Sequence, residues 1–410
     1  MFNMSTIFLI LATFQISLAK IPIVIVPDFG SSDIEAKLDL NRTSSFFCFK
    51  SSNWYKIWHS PLNNLFGGRC FVNNFKLVYD PITNAMVNQP GVSTRLLSEL
   101  GACDNNQNIL IDKMFWRQTC RDMVDLLKSF GYDSEDIFTL NYDFRTIGDS
   151  RSMYNMFKDM DKLIHKIKVN NSEPIIISIG LGGPLVSHYL KSKSLFWKKA
   201  HIDSWYSIDG PFGGTLAMQV PNLFGNNYFV PFYTSKRGLS ELLSSFPTSI
   251  FLLPSPTIFN DENLILFPTE NITAFNIRDH ILKKDSVNIS HTFAHIKDIF
   301  VKENPGIPVS CVHTSGHRSL SNIQFMTNSD TDDFYVNFSD GNHYATTQSL
   351  SACTHWERNK SIKFDFVELE NPQKLDIYSL NAFIKNLRNF LEARQILKNE
   401  QLSKKIIVHH

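Results

Sequence analysis

At 410 residues, 43% of them hydrophobic and 13% aromatic, the chain is long enough to bury a large core, as one α/β domain with insertions or as two or three smaller units. Its formal net charge is +1 and it has no long basic run. That excludes nucleic acid as the main partner, because neutralising phosphates requires clustered Lys and Arg.

In chain order, Ile7 to Leu18 is an apolar run, and Ser17-Leu18-Ala19 supplies the small residues of a cleavage site. The run is shorter than the roughly 20 apolar residues that span a bilayer, so a signal peptide over residues 1–19 is predicted. Ile21 to Val26 is continuously apolar and ends in Pro27-Asp28-Phe29-Gly30, the pattern of a buried parallel strand entering a loop. Cys48 to Cys70 is short, aromatic and bracketed by cysteines, and reads as an excursion from the sheet. Phe115 to Phe130 has helical periodicity. Pro174 to Ile179 is a second strand, running into Gly180-Leu181-Gly182-Gly183 and a helix over Leu185 to Leu190. Ser204 to Ile208 is a third strand, and Pro221 to Pro268 is a Phe-, Leu- and Pro-rich insertion with the look of a cap. Val309 to Thr314 and Ile362 to Leu369 add two more strands; Leu380 to Leu397 is an amphipathic helix before a tail over 401–410. Strands alternating with helices predict one domain over 20–400, a mostly parallel sheet with helices on both faces.

Cys48, Cys70, Cys103, Cys120, Cys311 and Cys353 form an even set without CxxC spacing, which points to disulfides rather than metal ligation. Six sequons follow the leader, at Asn41, Asn170, Asn271, Asn288, Asn337 and Asn359; each is expected at the surface if glycosylated.

An open parallel sheet carries its chemistry at the carboxyl ends of its strands. Ile175-Ile176-Ile177-Ser178-Ile179-Gly180-Leu181-Gly182-Gly183 has the form of a nucleophile elbow, a sharp strand-to-helix turn flanked by small residues. Ser178 and Gly182 fill the flanks, and the nucleophile position falls on Gly180.

Pro27-Asp28-Phe29-Gly30-Ser31-Ser32-Asp33-Ile34-Glu35-Ala36-Lys37-Leu38-Asp39 resembles the N-terminal signature of the lecithin:cholesterol acyltransferase and lysosomal phospholipase A family. The similarity continues through Cys48, Trp54-Tyr55-Lys56-Ile57-Trp58, Cys70, Leu77-Val78-Tyr79-Asp80, Pro90-Gly91-Val92 and Tyr142-Asp143-Phe144-Arg145. Ser207-Ile208-Asp209-Gly210-Pro211-Phe212-Gly213-Gly214 is similar to the family's Gly-x-Pro-x-Gly-Gly loop, and Leu252-Leu253-Pro254, Cys311, Cys353 and Trp356 follow in order.

The resemblance implies an α/β-hydrolase fold with a Ser-Asp-His triad, in which His activates Ser and the carboxylate holds the His. Carried over by position, the serine becomes Gly180. The aspartate becomes Asn342, within Ser339-Asp340-Gly341-Asn342-His343-Tyr344-Ala345, and the histidine becomes Lys374. Glycine has no side chain to attack with, asparagine brings no charge, and a lysine at its reference pKa is protonated at neutral pH.

The resemblance also implies a membrane-docking loop closed by Cys48–Cys70, presenting Trp54, Trp58, Leu62, Leu65 and Phe66, and a second disulfide, Cys311–Cys353. Cys103 and Cys120 have no family counterpart; a third bridge is expected there. The backbone amides of Asp28 and Leu181 are expected to form the oxyanion hole. No cofactor and no metal is implied.

Three readings stay open. The first is an inactive relative that keeps lipid or membrane-surface binding. The second is an active phospholipase or O-acyltransferase with a relocated triad, drawn from Ser187, His188, Asp340, His343 and His355. The third is a protein partner of an active relative. All three place the chain in the secretory pathway, extracellular or lysosomal.

Overall fold

A computed structural model of the protein describes residues 20–58, 68–97, 119–168, 173–219, 236–283, 291, 298–328, 334–357, 361–371 and 377–408. The signal-peptide expectation, residues 220–235 of the cap-like insertion, and Leu62, Leu65, Phe66, Cys103, Asn170, Asn288, Asn359 and Lys374 lie outside the described residues.

Six strands form the central sheet: β1 (Ile23–Val26), β2 (Ile137–Thr139), β3 (Ile175–Ile179), β4 (Ser204–Ile208), β5 (Val309–Ser315) and β6 (Phe364–Glu370). Their order is β6-β5-β4-β3-β1-β2, every neighbouring pair parallel. β1 and β3 are short runs of mostly β-branched residues, and the period of two sends their side chains to opposite faces. Val24, Val26 and Ile176 enter one core. Ile23, Ile25, Ile175, Ile177 and Ile179 enter the other. Both faces of β1 and β3 are buried, which is why these two strands lack polar alternation, while the edge strand β6 alternates and is only partly covered.

Helix α1 (Thr119–Ser129) and the long terminal helix α4 (Asn381–Val408) cover the second face. Met123 and Leu127 from α1 meet Phe383, Leu387 and Leu391 from α4, the latter spaced four apart on one stripe. The first face is covered by α2 (Ser150–Lys168) and α3 (Gly182–Lys191). Helix α2 buries Met153, Met156, Met160, Leu163, Ile164 and Ile167. Just before α2, Asp149 Oδ1 accepts the Arg151 and Ser152 amides at 3.0 Å each, satisfying first-turn donors.

Between β5 and the site lies an antiparallel hairpin, His317–Phe325 with Phe334–Gly341. Its register sets Gly341 opposite His317, so a long detour returns Asn342 to the carboxyl end of β5.

Cys48–Cys70 and Cys311–Cys353 are disulfides, and Cys120 is disulfide-bonded as well. Asn41, Asn271 and Asn337 are exposed. Among the described residues, no helix is long and apolar enough to cross a membrane.

Candidate functional site

The chain runs β1 to β2 in one direction across the sheet, then crosses back to β3 and continues the other way. The carboxyl ends of β1 and β3 therefore flank a topological switch point, where an open parallel sheet has its crevice. Register decides what meets there. Val26 pairs with Ser178, and Ser178 with Ser207. Two residues past that row, the three strands end in Asp28, Gly180 and Asp209.

Gly180 has φ +50°, and its amide donates to Ile208 O at 2.9 Å. This is the left-handed turn that an elbow imposes on its central residue, and glycine adopts it without a Cβ penalty. Gly182 is required for a different reason. A Cβ there would stand 2.3 Å from the Val26 carbonyl oxygen, so only glycine lets α3 approach β1 this closely.

The backbone amides of Phe29 and Leu181 converge on one point, and Asp28 Oδ1 occupies it, at 2.7 Å from each nitrogen. The family resemblance places the first amide of this pair at Asp28. The converging amide is instead that of Phe29, and Asp28 supplies the acceptor. Burial pushes the Asp28 carboxyl up to about 6, against the pull of the Leu181 and Phe29 amides.

The loop carrying Asp28 is braced from below. Tyr142 Oη donates to Pro27 O at 2.5 Å, and the buried Trp58 indole donates to Gly30 O at 2.6 Å. Arg145, fully buried, pairs with Asp143 at 2.7 Å and donates to the Phe75 carbonyl, fixing the segment that presents Tyr142.

Asp209 is a second carboxylate at this edge. It too has a positive φ, +51°, a conformation that Asp tolerates better than most side chains. Its Oδ1 accepts the Thr314 amide at 2.7 Å, and the Thr314 hydroxyl lies 3.0 Å from its Oδ2. Burial pushes Asp209 up to about 6, with the charge of Asp28 adding to the rise and bonds from Thr314 and the Asn342 side chain opposing it. Asn342 Oδ1 accepts the amides of Tyr344 and Ala345 at 3.0 and 2.9 Å. Gly180, Asn342, Asp28 and Leu181 are thus brought to one locality, with Asp209, which the sequence reading passed over. Its signal was positional: a polar residue ending an apolar strand, level with Asp28 and Gly180.

Of the residues considered for a relocated triad, His188 and Asp340 are engaged elsewhere, as is the strand serine Ser178. Ser178 Oγ donates to Ser207 Oγ at 3.2 Å and accepts the Trp205 indole at 2.8 Å. Ser187 is buried on α3. His188 is buried against Phe251, faces the Ile299 carbonyl at 3.1 Å, and is pushed down to about 4 by that burial. Asp340 accepts the Gly316 amide on one oxygen and the Thr347 hydroxyl on the other.

The expected docking loop is corrected at one position. Trp58 is 1% exposed and stacks on Phe75 in the aromatic core with Phe71 and Phe144, because its indole N–H finds its partner inside at Gly30. Trp54 is exposed, beneath the Arg95 guanidinium. The large exposed apolar surface beside Cys48 comes from Phe46, Phe47 and Phe49, at 96%, 72% and 60% exposure. Consecutive aromatics around a cysteine were the available signal.

A parallel sheet in this order, with a left-handed turn joining its β3 strand to α3 and two amides converging beside it, defines an α/β-hydrolase. Residues 49–300 match the family model for lecithin:cholesterol acyltransferase. The chain belongs to that family. A lecithin-cholesterol acyltransferase-like protein of Arabidopsis thaliana is 25% identical over 81% of this chain and 82% of its own. The mouse phosphatidylcholine-sterol acyltransferase is 23% identical over 90% and 85%, and the mouse lysosomal phospholipase A and acyltransferase 21% over 90% of each. Among solved structures, the monoglyceride lipase of Saccharomyces cerevisiae aligns over 67% of this chain and 81% of its own at 11% identity, with a TM-score of 0.31, too loose a likeness to carry an argument.

Proposed function

We propose that this chain is a catalytically inactive member of the family, retained as a lipid- or membrane-surface-binding glycoprotein of the secretory pathway. The observation that carries the reading is Gly180: a glycine at φ +50° on the elbow, in the place where acyl transfer needs a nucleophile. The sequence equivalences of Asn342 and Lys374 support it. So does the bonding of Asn342, whose side chain turns back on its own loop and on Asp209. The docking part is supported by Phe46, Phe47 and Phe49, aromatic rings held in water on a disulfide-anchored segment, since such rings prefer a membrane interface.

The test is fatty-acid release from phosphatidylcholine liposomes by the purified protein, alongside its co-sedimentation with the same liposomes. Binding without release at both neutral and acidic pH is expected. Release of fatty acid would refute inactivity, and failure to sediment with any lipid mixture would remove the docking role.

A further inference from the structure

The two converging amides, one on the elbow and one on the loop after β1, are already taken. Asp28 Oδ1 holds the N–H groups of Phe29 and Leu181 at 2.7 Å each. A Cβ built on Gly180 would lie 2.0 Å from that same oxygen and 2.1 Å from the carboxyl carbon. One carboxylate therefore fills both spaces that acyl transfer needs open: that of the nucleophile's side chain and that of the developing oxyanion.

We infer that Asp28 is a second lock on this site, a built-in carboxylate that excludes any side chain from position 180 and any outside oxygen from the two amides. The inference rests on the inactive reading and deepens it, because the lock is separate from the three triad positions. Restoring a serine at 180 leaves the site closed while Asp28 keeps its side chain.

The lock is not loose. Swinging the carboxylate away forfeits two charge-assisted hydrogen bonds in a largely water-free edge. Moving the loop instead strains the Tyr142–Pro27 and Trp58–Gly30 contacts that hold it on either side. Asp209 is a second carboxylate coupled by charge to Asp28, so an acidic group entering the crevice meets like charge as well as occupied amides.

The test is a double-mutant cycle in thermal unfolding of the full glycoprotein: the natural chain, Gly180→Ser, Asp28→Gly and both together. The positive φ at 180 penalises serine in both backgrounds and cancels in the cycle. The melting temperature should fall sharply on Gly180→Ser in the natural chain, and by roughly half as much or less once Asp28 is gone. Equal falls in the two backgrounds overturn the inference. If Asp28→Gly fails to fold, Asp28→Ala, which removes the carboxylate and keeps Cβ, takes its place in the same cycle with the same two outcomes. Labelling of the natural chain by a fluorophosphonate is the separate control: it would strike the inactive reading and leave the cycle to judge Asp28.

Discussion

The Asp28 carboxylate oxygen lies 2.7 Å from the Leu181 amide nitrogen, 153 residues away in the chain. The contact joins the loop after β1 to the first turn after β3, and it converts a hydrolase elbow into a closed internal hydrogen bond. Its consequences are measurable, as are those of the packing that maintains it.

Asp28 and Asp209 are both raised to about 6 from an ordinary value near 3.8. A carboxyl raised on folding binds its proton more tightly in the folded state. Its contribution to stability is therefore greatest below the unfolded value and is lost as pH climbs through about 6. Each group can account for at most about 3 kcal/mol. Thermal melts at pH 5 and pH 7.5 should show Asp28→Asn to be favourable, relative to the natural chain, mainly at the higher pH. An effect of equal size at both pH values would show that the raised carboxyl does not govern it.

Phe46→Ser, Phe47→Ser and Phe49→Ser combined should leave the melting temperature nearly unchanged, since these rings are exposed. Liposome affinity should fall by roughly tenfold or more, at about 1 kcal/mol or less per ring. Trp58→Ala should do the reverse. It removes a fully buried indole that stacks on Phe75 and bonds Gly30, costing about 3–5 kcal/mol of stability, with no direct effect on lipid contact. Co-sedimentation and melting curves on the same samples separate the two.

Arg145→Met leaves Asp143 without its partner and the Phe75 carbonyl without its donor. Arg145 is buried but Asp143 is 27% exposed and can be partly hydrated, so breaking the pair and leaving the Phe75 carbonyl unpaired costs about 1–3 kcal/mol. Chemical unfolding should show the midpoint falling accordingly; a loss below about 1 kcal/mol would show that neither the ion pair nor the guanidinium–Phe75 contact stabilises the fold appreciably.

Cys311–Cys353 closes a loop of 42 residues that contains the whole hairpin carrying Asn342. Loop-closure entropy puts its contribution at about 4 kcal/mol. Cys311→Ala with Cys353→Ala should lower unfolding stability by about that amount, and proteolysis of the folded protein should begin within 317–341.

Much of this molecule was legible before folding. All five strands read from the sequence appear; β1 and β3 read most plainly, as buried apolar runs ending at Pro27 and Gly180, because a strand buried on both faces has to be nearly all apolar whatever surrounds it. The elbow was legible for a similar reason: Ser178, Gly180 and Gly182 obey a local steric rule that any strand-to-helix turn of this kind imposes. Helix α2 carries a less plain signal, half of its buried stripe being methionine among many polar residues, and β2 is only three residues long.

What the sequence determined by itself was a family frame and a glycine, Gly180, at the turn from strand to helix. The tertiary structure alone decided what fills the space there. Asp28, Gly180 and Asp209 become neighbours only when β1, β3 and β4 pair in one register, and a one-residue slip would turn each to the other face. Trp58 and Phe47 are both aromatics beside the same disulfide. Which of them meets water depends on whether a carbonyl such as that of Gly30 waits inside, and pairwise contacts between distant segments are not written in local spacing.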